Sequence, residues 1–209
     1  SGGGRAAHDV IVSTCRSTAR GEFGLLTSSG RVVRGQTIDL PSVPATAQAP
    51  NLQGGSPSGE LFALESGERV LAVTSLGEST FGWVIGTERG VVKRINPDII
   101  GKDAFEIVRL DDGDRVVGAA ELTHDLDELV FVTSDAQLLQ FPAASVRPQG
   151  RSGGGMAGIK LAPKASVVFF GVSRLADSVV VSVAGSSSAL PGTDAGSVKV
   201  TPFDEYPGK

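Results

Sequence analysis

"FGLLTSSGRVVRG", residues 23–35, holds the reading of the fold. One apolar run leads into a Ser-Ser-Gly turn, and a second leaves it with basic residues at either side. This is hairpin chemistry: Val, Leu and Phe suit a pleated strand, and glycine supplies the backbone freedom that a tight turn needs. The unit returns as "FGWVIGTERGVVKRI" (81–95), as "LVFVTSDAQLLQF" (129–141) and, with a longer insertion, as "VVVSVAGSSSALPGTDAGSVKVTPF" (179–203). The turns centre on Gly30, Gly90, Asp135 and Gly196. A second unit follows each of the first three: "LFALESGERVLAV" (61–73), "IVRLDDGDRVVGA" (107–119) and "GIKLAPKASVVFFGV" (158–172), with turns at Gly67, Gly113 and Lys164. Leu64, Leu110 and Leu161 keep register at separations of 46 and 51 residues.

No segment sustains a 3.6-residue apolar period over helical length, so the chain is all-β. A repeat of roughly 50 residues with about four strands matches the blade of a propeller-like array, in which each small sheet buries its faces against its neighbours. The expected blades are 8–70, 71–116, 117–167 and an incomplete 168–209, forming one domain over 1–209. Two β-sandwiches without true repetition are the alternative.

Composition narrows the function. Cys15 is the single cysteine, which excludes an intrachain disulfide and a cysteine metal cluster and favours a reducing, cytoplasmic setting. No apolar run approaches the roughly 18 residues of a membrane span, and the Ser-Gly-rich start lacks the apolar stretch of a signal peptide. The net charge of −4 is unevenly spread. Residues 61–140 hold seven basic and fifteen acidic side chains, whereas no Asp or Glu lies between Ala136 and Ala176. That segregation suits a surface that meets a polyanion on one side and stays solvated on the other.

The connector "RPQGRSGGGMAGIKL" (147–161) falls in the acid-free block. Its Gly150–Gly154 fits the Gly-x-Ser-x-Gly nucleophile elbow, with Ser152 as nucleophile, and Gly153–Gly158 fits the dinucleotide fingerprint. Both need a helix after the glycines, and "IKLAPKASVVFF" reads as strands instead. An elbow also needs a base and an orienting acid, and nothing in sequence ties His124 to Ser152. "LDDGDRV" (110–116) has the look of a metal loop, but its equivalent "LESGERV" marks it as a turn with carboxylates in water, so no metal site is expected. What remains is basic. Arg31, Arg34, Lys93, Arg94 and Lys199 follow the turn glycines of successive copies, and equivalent positions of a circular array share a rim. Arg147, Arg151 and Lys160 on the glycine-rich connector, with Lys209, complete the expected phosphate-contacting set for duplex DNA.

At these residues the chain resembles the C-terminal domain of the A subunit of bacterial DNA gyrase and its paralogue in topoisomerase IV. The likeness is carried by "LLTSSGRVVRG…DLP", "IGTERGVVKRI", "VRLDDGDRVVGA", "FVTSDAQLLQFPAASVRPQGRSGGGMAGIKL" and "VKVTPFDEYPGK". The resemblance implies a β-pinwheel whose basic outer rim bends duplex DNA and sets which segment reaches a separate cleavage core. It implies partners as well: the rest of the A subunit, with the ATPase B subunit, in an A2B2 enzyme of the bacterial cytoplasm, associated with the nucleoid. Mg and ATP would act elsewhere in that enzyme, with no cofactor on this chain. The family's cleavage core, with its tyrosine nucleophile, has no counterpart here, since Tyr206 lies in "FDEYPGK" at a blade position. The gyrase Gln-Arg-Arg-Gly-Gly-Lys-Gly box is absent from the chain shown, and 147–158 is a degenerate relative of it. A protein-binding propeller and, third, a serine hydrolase using Ser152 are the competing functions.

Overall fold

The structure is a computed structural model that describes residues 11–42, 56–77, 80–96, 98, 100–173, 178–184 and 197–206. Its first sheet joins β1 (Glu22–Thr27), β2 (Arg31–Gln36), β3 (Val70–Ser75) and β6 (Ala104–Glu106) in the order β3-β1-β2-β6. The second joins β4 (Trp83–Thr87), β5 (Val91–Ile95), β7 (Val116–Glu121) and β10 (Pro148–Gln149) in the order β10-β5-β4-β7, and β11 (Met156–Ala157) also pairs with β5. The third comprises β12 (Val167–Ser173), β8 (Glu128–Thr133) and β9 (Leu138–Pro142), and the fourth β13 (Val179–Ala184) with β14 (Ser197–Pro202). Among the described residues the helices are short: Ser58–Leu61 and three 3-10 segments of three residues each.

The repeat is written into the hydrogen bonds. Thr27, Thr87 and Thr133 each end the first strand of a hairpin, and their hydroxyls accept the amides of Arg31 (3.3 Å), Val91 (3.1 Å) and Gln137 (3.0 Å). The left-handed turn residue recurs as Gly30, Gly90 and Ala136, and in the second unit as Gly67, Gly113 and Lys164. The third hairpin therefore turns on Ala136, one residue beyond Asp135. Ala136 (φ 62) and Lys164 (φ 67) hold a conformation that costs a residue with a Cβ about 1 kcal/mol. The repeat geometry imposes it.

Strands are exchanged between neighbouring sheets. β6 lies beyond β5 in sequence yet pairs with β2, Val32 opposite Phe105. β10 and β11 lie beyond β9 yet both pair with β5. The sheets therefore interleave along the chain, with Val70–Ser75 and Ala104–Glu106 in the first one. Backbone bonds repeat at the junctions: Ile107 and Ile159 amides donate to Gly30 and Gly90 carbonyls, and Val116 and Val167 amides to Ser28 and Glu88 carbonyls.

Packing explains why the strands carry near-continuous apolar runs. Sheets one and two enclose Leu26, Val32, Trp83, Ile85 and Phe105, while sheets two and three enclose Val84, Val92, Leu129, Phe131 and Phe170. A strand of the second sheet is thus covered on both faces, and β4 is buried throughout. Each of these large side chains contributes about 1.5–3 kcal/mol by leaving water. Gly86 and Gly118 face each other across β4 and β7, and Phe170 descends onto that pair. A Cβ at Gly118 would overlap the Phe170 carbonyl, so this contact requires glycine. The strands β3, β7 and β12 converge, β7 touching both others. The opposite edges, covered by β6 in the first sheet and by β10 and β11 in the second, make the outside.

Candidate nucleic-acid interface

The outer edge of the second sheet carries the glycine-rich connector. β10 runs parallel to β5 at Arg94 and Ile95, and β11 runs antiparallel at Val91 and Val92. Residues 150–155 loop out between these two pairings, over Lys93. Lys93 is fully buried, and its Nζ donates to the carbonyls of Ile107 (2.7 Å), Arg151 (2.8 Å) and Gly153 (2.7 Å). Three acceptors use all three N–H bonds of an ammonium. Desolvation by burial pushes Lys93 down to about 8, which leaves it protonated at neutral pH. The loop closes through Gln149, whose Oε1 accepts the Gly155 amide at 3.1 Å. Gly155 has φ +87 and sits so tightly on β5 that a Cβ would come within 2.7 Å of the Val92 carbonyl oxygen. Both conditions demand glycine.

The cations expected on one stripe separate into two groups. Arg31 binds Glu68 through Nε (3.0 Å) and NH2, and Glu65 through NH1 (3.1 Å). Arg34 binds Glu22 and the carbonyls of Ile100 and Lys102. Arg94 binds Asp125 at 2.9 Å and the Phe81 carbonyl at 3.4 Å. With Lys93, these hairpin cations hold the fold together, and three of the four reach the connector that follows or precedes their hairpin. Arg147, Lys160 and Lys199 are exposed, without a partner among the described residues. Arg151 is intermediate: its Nε lies 3.8 Å from Asp98, and its guanidinium sits 5.9 Å from the centre of the Phe105 ring on β6, linking the outer edges of two sheets. Lys209 lies outside the described residues.

Residues beyond the expected set join the exposed group. Lys102, in the connector before β6, holds the place in the first sheet that Arg147 holds in the second, and Arg109 borders the connector with its amide on the Gly153 carbonyl (3.3 Å). Equivalence of the connectors is the sequence signal that would have found Lys102. Arg109 has none, since β-repeat alignment puts it in the acidic turn unit.

The other motifs resolve as local structure. The glycines run into β11, a strand, where a dinucleotide would need a helix N-terminus. The His124 Nδ1 accepts the Leu126 amide at 3.0 Å and its ring stacks on Phe81, and Ser152 has no histidine partner among the described residues. Asp114 accepts the amides of Arg89 and Arg115, which is turn chemistry, and among the described residues no three His, Cys, Asp or Glu side chains gather to hold a metal.

Residues 127–174 and 192–209 match the family model of the DNA gyrase C-terminal domain, beta-propeller. The chain is 30% identical over 190 residues to the DNA gyrase A subunit of Salmonella typhimurium, an alignment covering 87% of this chain and 19% of that protein. The chain belongs to this family. Across its whole length it is 26% identical to the DNA gyrase A subunit of Deinococcus deserti, of which it spans a quarter. The C-terminal domain of DNA topoisomerase IV superposes with a TM-score of 0.73 at 18% identity, over 91% of this chain and 56% of that one. The E. coli ParC C-terminal domain gives 0.59 at 15% identity, over 97% and 77%. These structural likenesses establish the propeller fold. The chain spans a quarter or less of the gyrase A subunits it matches.

Proposed function

We propose that this chain is the DNA-bending module of a type IIA topoisomerase A subunit, presenting a duplex segment to a separate cleavage core for ATP-dependent strand passage. The observation that carries the reading is the run of exposed cations on the connectors at the outer sheet edges: Lys102, Arg147 and Lys160, with Arg151 between them. The glycine-rich backbone beside these cations admits close approach of phosphates. The chain itself would perform no chemistry. Strand cleavage, Mg and ATP belong to the B subunit and the rest of the A subunit, in an A2B2 enzyme of the bacterial cytoplasm. Lys199, exposed on β14, and Lys209 extend the contact to the fourth blade.

Because Arg31, Arg34, Lys93 and Arg94 are occupied internally, few phosphates are neutralised. With ~3 to 5 contacts, log affinity for duplex DNA falls against log salt with a slope of about −3 to −4 and little sequence preference. Titration of random-sequence duplex between low and moderate salt tests this, and salt-independent or undetectable binding removes it. The competing reading, a protein-binding propeller, draws on the exposed Val179, Val181, Val198 and Val200 that share one face of the fourth sheet. It is favoured by the same experiment if DNA does not bind.

A further inference from the structure

We propose that Lys93, although it never reaches the surface, positions two backbone amides of the 150–155 connector, Ser152 N–H and Gly154 N–H, as a site for a single phosphodiester group. The inference rests on the DNA-binding reading and deepens it. Its basis is the planarity of the peptide unit. In a trans peptide the C=O and the following N–H point in opposite directions, and no described peptide is cis. The Arg151 and Gly153 carbonyls both point at the Lys93 ammonium, at 2.8 and 2.7 Å. The amides in the same two peptide planes belong to Ser152 and Gly154, so both point away from it.

Neither amide has a hydrogen-bond partner among the described residues, whereas Gly153 N–H and Gly155 N–H are bound to Gly150 O and Gln149 Oε1. Ser152 is exposed, and Gly154 borders a groove of about 290 Å³ that Arg109 also lines. Two convergent backbone donors with arginines beside them match the oxygens of a phosphate. Lys93 is what keeps the arrangement. It stands at the gap in the β5 edge between the β10 and β11 pairings, where no ladder bond holds the connector. Its third acceptor, Ile107 O, follows the strand lent to the first sheet, so the same ammonium ties the connector to the neighbouring rim.

The test uses the 209-residue chain, a short random-sequence duplex and amide-resolved NMR, followed by a double-mutant cycle. DNA is expected to shift the Ser152 and Gly154 amide resonances and to slow their hydrogen exchange. Lys93→Met is expected to weaken binding per folded molecule by about fivefold or more, and Arg147→Ala to weaken it by a similar factor in the native background but by less than about twofold once Lys93 is Met. A variant that merely loosens the fold would leave the two effects multiplicative, and that result overturns the proposal. So does saturation with DNA that leaves both amides unmoved, a measurement on the unsubstituted chain that stands even where Lys93→Met does not fold. Absence of any DNA binding at low salt would remove the underlying reading and this site with it, whereas binding with silent amides removes the site alone.

Discussion

Replacing Arg31 separates an internal role from a phosphate-binding one. Its guanidinium binds Glu68 through Nε and NH2, and the Glu68 side chain is 0% exposed against 17% for Arg31. Glu68 also accepts the Thr27 hydroxyl and the Glu65 amide. Desolvation raises this carboxyl, but the bonds from Arg31, Thr27 and Glu65 together outweigh it and bring Glu68 from 4.5 to about 2. Such a carboxyl stabilises the fold by ~3 kcal/mol at neutral pH. Because the folded value lies below the unfolded one, that contribution is complete above about pH 4.5 and disappears as pH falls toward 2. Arg31→Ala strands the buried carboxylate with a hydroxyl and one amide. Breaking a buried pair costs ~3–5 kcal/mol, and the partial exposure of Arg31 puts this case near 3. Urea denaturation of both proteins at pH 7, 5, 3 and 2 at constant ionic strength reads the difference. The gap should be ~3 kcal/mol at pH 7 and close to ~1 kcal/mol or less at pH 2, where Glu68 is protonated in both. DNA affinity per folded molecule should stay within about twofold. A stable variant that loses binding tenfold, or a gap that ignores pH, would refute the internal assignment of Arg31.

The exposed cations should behave in the opposite way. Arg147→Ala with Lys160→Ala should leave the melting temperature nearly unchanged and make the salt slope shallower by about 2, read by duplex titration at several salt concentrations. Gly118→Ala forces a methyl group into the Phe170 carbonyl and should cost more than ~2 kcal/mol by denaturant unfolding, as severe as many core truncations. Ala136→Gly and Lys164→Gly relieve left-handed residues and should each raise stability by ~0.5–1 kcal/mol by the same measurement. Ser152→Ala should preserve fold and DNA affinity, and a fluorophosphonate probe should label neither protein, since no base is placed to activate that hydroxyl.

The sequence by itself determined what is local and repeated. A hairpin turn needs one left-handed residue and a strand needs β-branched or aromatic neighbours, so the repeat of apolar runs about Gly30, Gly90, Gly67 and Gly113 was enough to specify strands, turns and a propeller array. The reading of 147–158 as a connector without a following helix rested on the same local chemistry, and the glycines do run into β11. Only the tertiary structure decided which strands share a sheet, because β6, β10 and β11 leave their own stretch of chain to pair with β2 and β5, and no local preference encodes a partner that distant. It also decided which cations are free. Lys93 and Arg94 are adjacent in sequence and equally basic, yet opposite faces of one strand put Lys93 under the connector and Arg94 beside Asp125. In a sheet packed on both faces, alternation along the strand does not distinguish interior from surface. A buried lysine therefore reads like an exposed one until three carbonyls, drawn from two other stretches of the chain, are found around its ammonium.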